Sequence, residues 1–492
     1  MRGLLLIAAS VVAMTGLPAH AADAKRPPNV ILVLMDDMGW RDVVFMGKTL
    51  VETPHLDRLA KRGLVFTQAY AGAPNCAPTR ACLMSGQATP RHGIYTVVDP
   101  RQPPGSPWHK LTAAHSESEL ATEVVTIPEA LQTRRYATGY FGMWNLGRGR
   151  TGPRTPGGQG FDTVVFPETL GFPKDAYFDR DGHQLSDRLT DEVLAFVEQH
   201  RAEPFFVYLA DHAIHAPYDP EPELLAKYQR KAAAVDDRRN DPAQAATIEA
   251  VDRNIGRIVA SLARLGLTDD TVVIFTSDNG GTSQYTPPLK GGKGELSEGG
   301  IRVPLVIAGP VVTRPGTTCD APVTSVDFYP TLLELAEATP PGGQPLDGTS
   351  LVPLLQGGDK DWRPRRLFWH FPCYVGRATP SSAIRDGDHK LIEFFEDGGR
   401  VELYDLAADP SERHDLAAAC PEKAAALTAA LREWQRDLGA AIPDQANPAY
   451  DPQAGRPRGG QGGREGGGQQ GGRRRGGESR TPSPARNGSP SR

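Results

Sequence analysis

Residues 75–86 read NCAPTRACLMSG and contain a cysteine and an arginine in the pattern Cys-x-Pro-x-Arg. Pro78 suits the first turn of a helix, where a missing N–H costs nothing, and Gly86 suits the end of that helix. Cys76 and Arg80 are one turn apart and therefore share a face. A thiol, a guanidinium and a helix N-terminus together favour chemistry on an anionic group. The simpler alternative is a buried thiol at the start of a helix.

Two pairs of polar residues follow predicted buried strands. Asp36 and Asp37 come directly after a run of six apolar residues, and Asp278 and Asn279 closely follow a second run. If both strands lie parallel in one sheet, the four side chains reach the edge where open α/β sheets bind ligands. Carboxylate and amide oxygens suit Ca²⁺ or Mg²⁺ better than Zn²⁺. Either pair alone is typical of helix caps or turns, but both pairs together with Cys76 favour a metal site.

Two histidines and a lysine are further candidates. His212 and His215 follow a predicted buried strand, and Lys293 lies in the loop GGKG, which is too rich in glycine for a helix. A lysine in such a loop can be directed at an anion. Taken alone, either histidine is more typical of a structural role, and the lysine fits a solvated loop equally well.

The elements that must position these residues alternate between strands and helices. Strands are predicted at residues 30–35, 64–66, 136–141, 205–209, 271–275 and 305–308, and helices at 54–60, 127–134, 187–200, 245–265 and 328–336. This alternation predicts an α/β fold with a large, doubly wound, mixed or mostly parallel sheet flanked by helices. Short strands at 382–385, 390–395 and 402–405, then a helix at 421–438, predict a small C-terminal antiparallel sheet plus helix.

The ends of the chain differ in composition from its middle. The first 21 residues have a charged start, a short apolar run and the triplet AHA, which predict a signal peptide and export to the periplasm or medium. No other stretch is apolar enough to predict a transmembrane segment. We divide the remainder into a catalytic α/β domain (22–360), a small α+β subdomain (361–450) and a Gly/Arg-rich tail (451–492) that composition predicts to be disordered.

Charge and cysteine content limit the possible partners and covalent links of the chain. Nine arginines against two glutamates from Gly455 onward give that segment a charge of +7, which leaves −12 for the rest of a chain whose total is −5. Arg-Gly-Gly runs suggest nucleic acid, but export favours adhesion to an anionic polysaccharide or envelope surface. A solvated tail without a specific partner is the preferred interpretation. Export permits disulfides among the four cysteines other than Cys76, with the pairing left open.

The Cys76 segment resembles the signature of the type I, formylglycine-dependent sulfatases, which are arylsulfatase-like members of the alkaline-phosphatase-like superfamily. The resemblance extends over roughly residues 28–440, most of the chain on the domain division above. It implies a sulfuric ester hydrolase in which a formylglycine-generating enzyme converts Cys76 to formylglycine (3-oxoalanine). One hydroxyl of the hydrated aldehyde attacks sulfur, and the other then expels sulfate. The implied substrate is a sulfated carbohydrate or another sulfate ester.

The resemblance also implies a role for each candidate residue. The implied metal is Ca²⁺, with Mg²⁺ as the alternative, held by Asp36, Asp37, Asp278, Asn279 and the modified Cys76. His215 would lie near the leaving-group oxygen, as a general acid or as a group that helps bind sulfate. Arg80 and Lys293 would stabilise charge on the sulfuryl oxygens. His212 would face the substrate or only pack.

One segment departs from the family pattern. Where the family has Gly-Lys-Trp-His-Leu-Gly, residues 142–147 read GMWNLG. Met143 replaces the lysine that would contact formylglycine and sulfate, and Asn145, retained as a substrate-binding candidate, replaces the histidine that would help deprotonate the second hydroxyl. Three hypotheses follow. The leading one is an active sulfatase. The alternatives are a sulfatase-like protein that binds sulfated ligands with impaired turnover, and a phosphate or phosphonate ester hydrolase on the same fold.

Overall fold

The computed structural model describes residues 26–97, 105–173, 176–234, 241–282, 286–358 and 362–455. The predicted signal peptide, nearly all of the predicted tail and the proposed domain boundary at 360/361 lie outside these residues. Within the described ranges, no helix combines the length and the apolar character needed to cross a bilayer.

The strands of the described residues fall into three sheets. They are β1 (Asn29–Met35), β2 (Gly63–Phe66), β3 (Ala69–Tyr70), β4 (Ala137–Gly142), β5 (Thr163–Val165), β6 (Phe205–Asp211), β7 (Thr271–Ser277), β8 (Arg302–Val303), β9 (Val306–Ala308), β10 (Thr317–Cys319), β11 (Val323–Thr324), β12 (Leu367–Phe371), β13 (Ser381–Asp386), β14 (His389–Phe394) and β15 (Arg400–Asp405).

The α-helices of the described residues cover both faces of the eight-stranded sheet, and one of them packs on the four-stranded C-terminal sheet. They are α1 (Pro54–Arg62), α2 (Cys76–Ser85), α3 (Thr89–His92), α4 (Ile127–Gln132), α5 (Leu185–Gln199), α6 (Pro222–Ala233), α7 (Pro242–Arg264), α8 (Glu298–Ile301), α9 (Phe328–Leu335), α10 (Val352–Leu355) and α11 (Pro421–Asp437).

The eight-stranded sheet has the order β10-β2-β9-β7-β1-β6-β4-β5, and only β9 runs antiparallel to its neighbours. A second sheet pairs β11, β3 and β8, and the third is the antiparallel sheet β12-β13-β14-β15. The predicted fold class is therefore confirmed. It is a mixed, mostly parallel sheet flanked by helices, with a small C-terminal antiparallel sheet and helix.

The central strand β1 is buried on both faces, which accounts for its unbroken run of apolar residues. Val30, Leu32 and Leu34 of β1 face one core, and the residues between them face the other, so every position of the strand is buried. Helices α2, α4 and α9 pack on the first face, and α1, α5 and α7 pack on the second. Burial of each such Val or Leu side chain removes apolar surface from water and stabilises the fold by about 1.5–3 kcal/mol.

Helices α6 and α4 are two of the elements that differ from the sequence-based prediction. Helix α6 (Pro222–Ala233) was not predicted. Its apolar stripe is short, because Tyr228 is its only buried residue and Leu224 and Ala232 are partly buried beside it. Helix α4 ends at Gln132 rather than near residue 134, and Arg135 then adopts a left-handed backbone (φ 59°) that leads the chain into β4.

Candidate active site

Four consecutive strands of the large sheet end at one edge, where the predicted site residues follow them. Strands β7, β1, β6 and β4 are neighbours and parallel. Met35, the last residue of β1, lies in register with Ser277 of β7 and with Asp211 of β6. The two predicted metal-binding pairs and the two histidines therefore leave the sheet at the same level, as the argument from parallel strands required.

The chain leaves β4 through a glycine that no other residue could replace without strain. Gly142 has φ 117°, and a Cβ atom there would lie 2.0 Å from the carbonyl oxygen of Ala210. Asn145 and Asp37, both non-glycine residues, also have left-handed backbones, with φ of 59° and 66°. Such conformations cost free energy and cluster at functional sites.

Helix α2 presents Arg80 to the carboxylates. The Arg80 side chain is fully buried, and Nη2 donates to Asp36 Oδ2 (3.0 Å) and Asp278 Oδ2 (2.8 Å), while Nε donates to Asp278 Oδ2 (3.0 Å). Nη1 donates to the carbonyl oxygen of Met143. Arg80 thus orients two candidate metal ligands and the segment after β4, a contact the sequence did not indicate.

Three oxygens converge at this edge without a hydrogen-bond donor. They are Asp36 Oδ1, Asp37 Oδ2 and Asn279 Oδ1, and all three are buried. Asn279 is held with its oxygen available, because its Nδ2 donates to Asp37 Oδ1 and to the Gly280 carbonyl, each at 2.8 Å. Buried polar atoms are normally paired, so unpaired oxygens from hard ligands are the arrangement expected where a cation binds.

Three buried carboxylates meet at this edge, and Arg80 and Lys293 bring positive charge to them. Burial tends to raise the pKa of Asp36, but the positive charge of Arg80, with His215 and Lys293, outweighs it and lowers that pKa. Burial and the Asp36 charge raise the pKa of Asp278 above its ordinary value, despite Arg80. A bound cation would offset this mutual repulsion.

Lys293 and His215 both approach Asp37 from the open side of the site. Lys293 Nζ lies 2.7 Å from Asp37 Oδ1, and His215 Nε2 lies 3.7 Å from Asp37 Oδ2. Burial would lower the pKa of Lys293, but Asp37 and the other acidic groups raise it, so the lysine stays charged. The His215 side chain is 30% exposed, whereas Lys293 is 15% exposed and Asp37 is 3% exposed.

Cys76 lies at the start of α2, 5% exposed. Its Sγ is 3.4 Å from Asn75 Oδ1 and 3.7 Å from Asn145 Nδ2, so the residue that departs from the family pattern contacts the predicted nucleophile position directly. Burial raises the pKa of the thiol to about 12, with Lys293 opposing. An unmodified thiol here is therefore protonated at neutral pH and a poor nucleophile.

His212 is less accessible than His215 and contacts a residue that the sequence analysis missed. The side chain is buried, burial lowers its pKa, and its ring centroid is 5.5 Å from that of Tyr177. The Tyr177 hydroxyl donates to the carbonyl oxygen of His215. No pattern in the sequence identified Tyr177, since it lies in a loop before α5.

All ten predicted site residues therefore lie at or beside one sheet edge. The remaining cysteines do not form disulfides with one another or with Cys76, although all five lie in described ranges. Cys82 is buried with Sγ 3.4 Å from His92 Nε2.

Comparisons with known proteins define the class that this fold and site represent. The sulfatase profile matches residues 28–338, and the profile of the N-sulphoglucosamine sulphohydrolase C-terminal region matches 293–438. The chain belongs to the sulfatase family, and it is an enzyme of the sulfuric ester hydrolase class.

Individual relatives agree over most of the chain. It is 30% identical to a sulfatase of Formosa agariphila, covering 84% of this chain and 89% of that one, and 30% identical to human arylsulfatase A, covering 87% and 92%. The solved structure of Ps i-CgsB is 28% identical, covers 85% of this chain and 95% of its own, and superposes with a TM-score of 0.71. Ps i-CgsB has also been solved with k-i-k-neocarrahexaose (27% identity, TM-score 0.70).

Proposed function

We propose that this sulfatase hydrolyses a sulfate monoester on a sulfated glycan, with formylglycine formed at Cys76 and Ca²⁺ at the sheet edge. The observation that carries the proposal is the convergence of three unpaired buried oxygens with Cys76 and Lys293. The glycan is inferred from the saccharide bound to the structural neighbour Ps i-CgsB.

The proposed metal ligands are Asp36, Asp37, Asp278 and Asn279, with the modified residue 76 as a fifth. Oxygen donors of this kind fit Ca²⁺, and Mg²⁺ is the alternative. A bound cation supplies positive charge to the sulfuryl oxygens. Arg80 contributes by holding Asp36 and Asp278 in place, because its donors are already directed at those carboxylates.

The proposed nucleophile is the hydrated aldehyde at residue 76, which supplies one hydroxyl to attack sulfur and a second to release sulfate. Asn145 donates a hydrogen bond toward that residue from Nδ2. Lys293 binds a sulfate oxygen as a charged ammonium. His215, half-exposed at the mouth of the site, protonates the leaving oxygen, and His212 shapes the wall behind it.

A second candidate function has an observation of its own. The Met143 side chain is half-buried where the family has a lysine, so the charge that would lie beside sulfate is missing. We therefore also consider a protein that binds sulfated ligands and turns over slowly. A phosphate or phosphonate ester hydrolase is the third hypothesis, because nothing in the cation and nucleophile arrangement distinguishes a phosphonate from a sulfate monoester.

We further propose, from the sequence alone, that the chain is exported after removal of residues 1–21 and that a formylglycine-generating enzyme acts on Cys76 beforehand. The division at residues 22–360, 361–450 and 451–492 remains part of the same proposal.

The proposed function is tested by two measurements on protein from its native host. Peptide mass across Cys76 is expected to show the aldehyde, and kcat/KM for para-nitrophenyl sulfate is expected to exceed that for the matched phenyl phosphonate ester. An unmodified thiol would favour the slow, ligand-binding alternative. A preference for the phosphonate ester would favour the third hypothesis.

Replacing Asp278 with alanine tests the metal. Asp278→Ala is expected to lower bound Ca²⁺, measured by elemental analysis, and to reduce kcat/KM by at least about 10³-fold, since several kcal/mol of charge stabilisation are lost at ~1.4 kcal/mol per factor of ten. The control is Asp252→Ala, which removes another buried carboxylate, one that instead accepts hydrogen bonds from the backbone N–H groups of His55 and Leu56. Full metal occupancy in Asp278→Ala would contradict the site.

A further inference from the structure

The loop that carries Lys293 is closed on itself and contacts the site on its inner side. Its two ends meet where Gly299 N donates to the Lys290 carbonyl at 2.8 Å. Within the loop, Lys293 N donates to the Gly281 carbonyl (3.0 Å) and Gly294 N to the Pro74 carbonyl (2.7 Å). The loop therefore lies between the segment that follows β7 and the segment that precedes α2.

The outer side of this loop is held by charged residues of the small C-terminal sheet. Lys390 of β14 is fully buried, and its Nζ lies 2.9 Å from Glu298 Oε1 and 2.9 Å from Glu412 Oε1. Glu412 Oε2 in turn accepts from the backbone N–H of Glu298 at 2.7 Å. Glu298, at the start of α8, closes the loop that begins at Lys290, so three buried charges from two parts of the fold converge on its end.

Other contacts hold the same carboxylate and the other end of the loop. Tyr70 of β3 donates to Glu298 Oε2 at 2.8 Å, and Arg302 Nη1 lies 3.4 Å from the same oxygen. At the start of the loop, Lys290 Nζ lies 3.0 Å from Glu402 Oε2 and 2.8 Å from the Tyr404 hydroxyl, both on β15. Both ends of the loop are thus attached to the small sheet.

We propose that Lys390 and Glu412 are positioning residues for catalysis, which fix Glu298 and, through the closed loop, place the ammonium of Lys293 at the sulfate site. The inference rests on the proposed sulfate-binding role of Lys293. The C-terminal sheet then has a defined task in the reaction without contributing a group that touches the substrate. Misplacement of a binding group by about 1 Å can cost about 10²-fold in rate. Small shifts in the Lys390–Glu412–Glu298 network are therefore expected to lower the rate of hydrolysis.

The test removes one positive and one negative charge together. Lys390→Met with Glu412→Gln leaves the net charge unchanged and leaves Glu298 paired with Arg302, which avoids the uncompensated buried charge that a single change creates. The matched control is Arg432→Met with Glu393→Gln, which breaks an ion pair between α11 and the same strand β14 that does not contact the loop. Each pair is introduced into the native chain and into Lys293→Ala.

The readout is kcat/KM for para-nitrophenyl sulfate, with bound Ca²⁺ and thermal midpoint measured alongside. In the native chain, Lys390→Met/Glu412→Gln is expected to lower kcat/KM by about 10- to 100-fold with bound Ca²⁺ unchanged. In the Lys293→Ala background the same two substitutions are expected to lower kcat/KM by less than about twofold. The lysine they would position is already absent, and interacting residues give non-additive effects. The control pair is expected to have the same small effect in both backgrounds.

Two results would overturn the inference. Equal losses in the two backgrounds would mean that the network only stabilises the fold, and no loss in the native chain would mean that it does not position the lysine. Both leave the proposed function intact if Lys293→Ala itself impairs hydrolysis. Wild-type kcat/KM in Lys293→Ala would instead remove the lysine from the proposed mechanism, and the positioning role with it.

Discussion

Cys76→Ser is expected to abolish multiple turnover of sulfate esters. Serine offers a single hydroxyl, so it can accept a sulfuryl group but has no second hydroxyl on the same carbon to expel it. The site around it is preserved, because residue 76 is buried at the start of α2 and a serine is close in size to the cysteine it replaces. The expected result is at most one equivalent of alcohol released per protein, with a sulfate ester left on the introduced serine.

The measurement is a burst experiment with para-nitrophenyl sulfate, followed by peptide mass across residue 76. Cys82→Ser is the matched control, since Cys82 lies in the same helix, is fully buried and points toward His92 rather than the carboxylates. That control is expected to keep wild-type turnover per folded protein. Sustained wild-type turnover in Cys76→Ser would show that the aldehyde is not required.

Met143→Lys combined with Asn145→His is expected to raise kcat on para-nitrophenyl sulfate by at least about tenfold. Loss of one positioned donor to developing anionic charge typically costs about 10²–10³ in rate, and methionine supplies no such charge. Asparagine donates a hydrogen bond toward residue 76 but cannot take up a proton near neutral pH, so release of sulfate is slowed. The two changes restore both functions.

The backbone is compatible with these substitutions. Asn145 has φ 59°, a left-handed conformation in which histidine, like asparagine, is enriched over most residues. The contact between Met143 and Arg80 uses the carbonyl oxygen, which a lysine at that position retains.

Both single variants and the double variant should be compared with Met143→Leu, which preserves size without adding charge and is expected to match the wild type. A wild type already as fast as ordinary sulfatases, or a slower double variant, would show that the pair adapts the site to a particular substrate.

The sequence predicted the site where local pattern and strand topology were sufficient. The apolar runs before Asp36 and Asp278 are typical of strands buried on both faces, and parallel pairing of such strands brings their ends together. The direction of Arg80 was not predictable, because spacing on α2 gives the shared face with Cys76 but not which acceptors lie opposite. The Arg80 side chain donates to Asp36 and Asp278, and its predicted contact with sulfate stays a prediction.

The burial of charged residues was also not predicted from the sequence. Residue type predicts that Glu298 and Lys390 are exposed, yet both are fully buried. Their partners are distant along the chain: Glu298 and Lys390 are 92 positions apart, and Glu298 and Tyr70 are 228 positions apart. Hydrophobic periodicity carries no information on such pairs, since it reports burial of apolar residues only.

The central position of β1 has a consequence for the timing of biogenesis. One neighbour of β1 in the sheet is β7, so the edge that encloses residue 76 cannot close until residues 271–277 have been made. Roughly 200 residues separate Cys76 from that strand, and synthesis at about 5–20 residues per second makes the interval on the order of 10–40 s. During that interval the edge is incomplete, whereas in the finished fold Cys76 is buried. For the modification proposed at Cys76, the order of the strands along the chain thus sets the time available before the site closes.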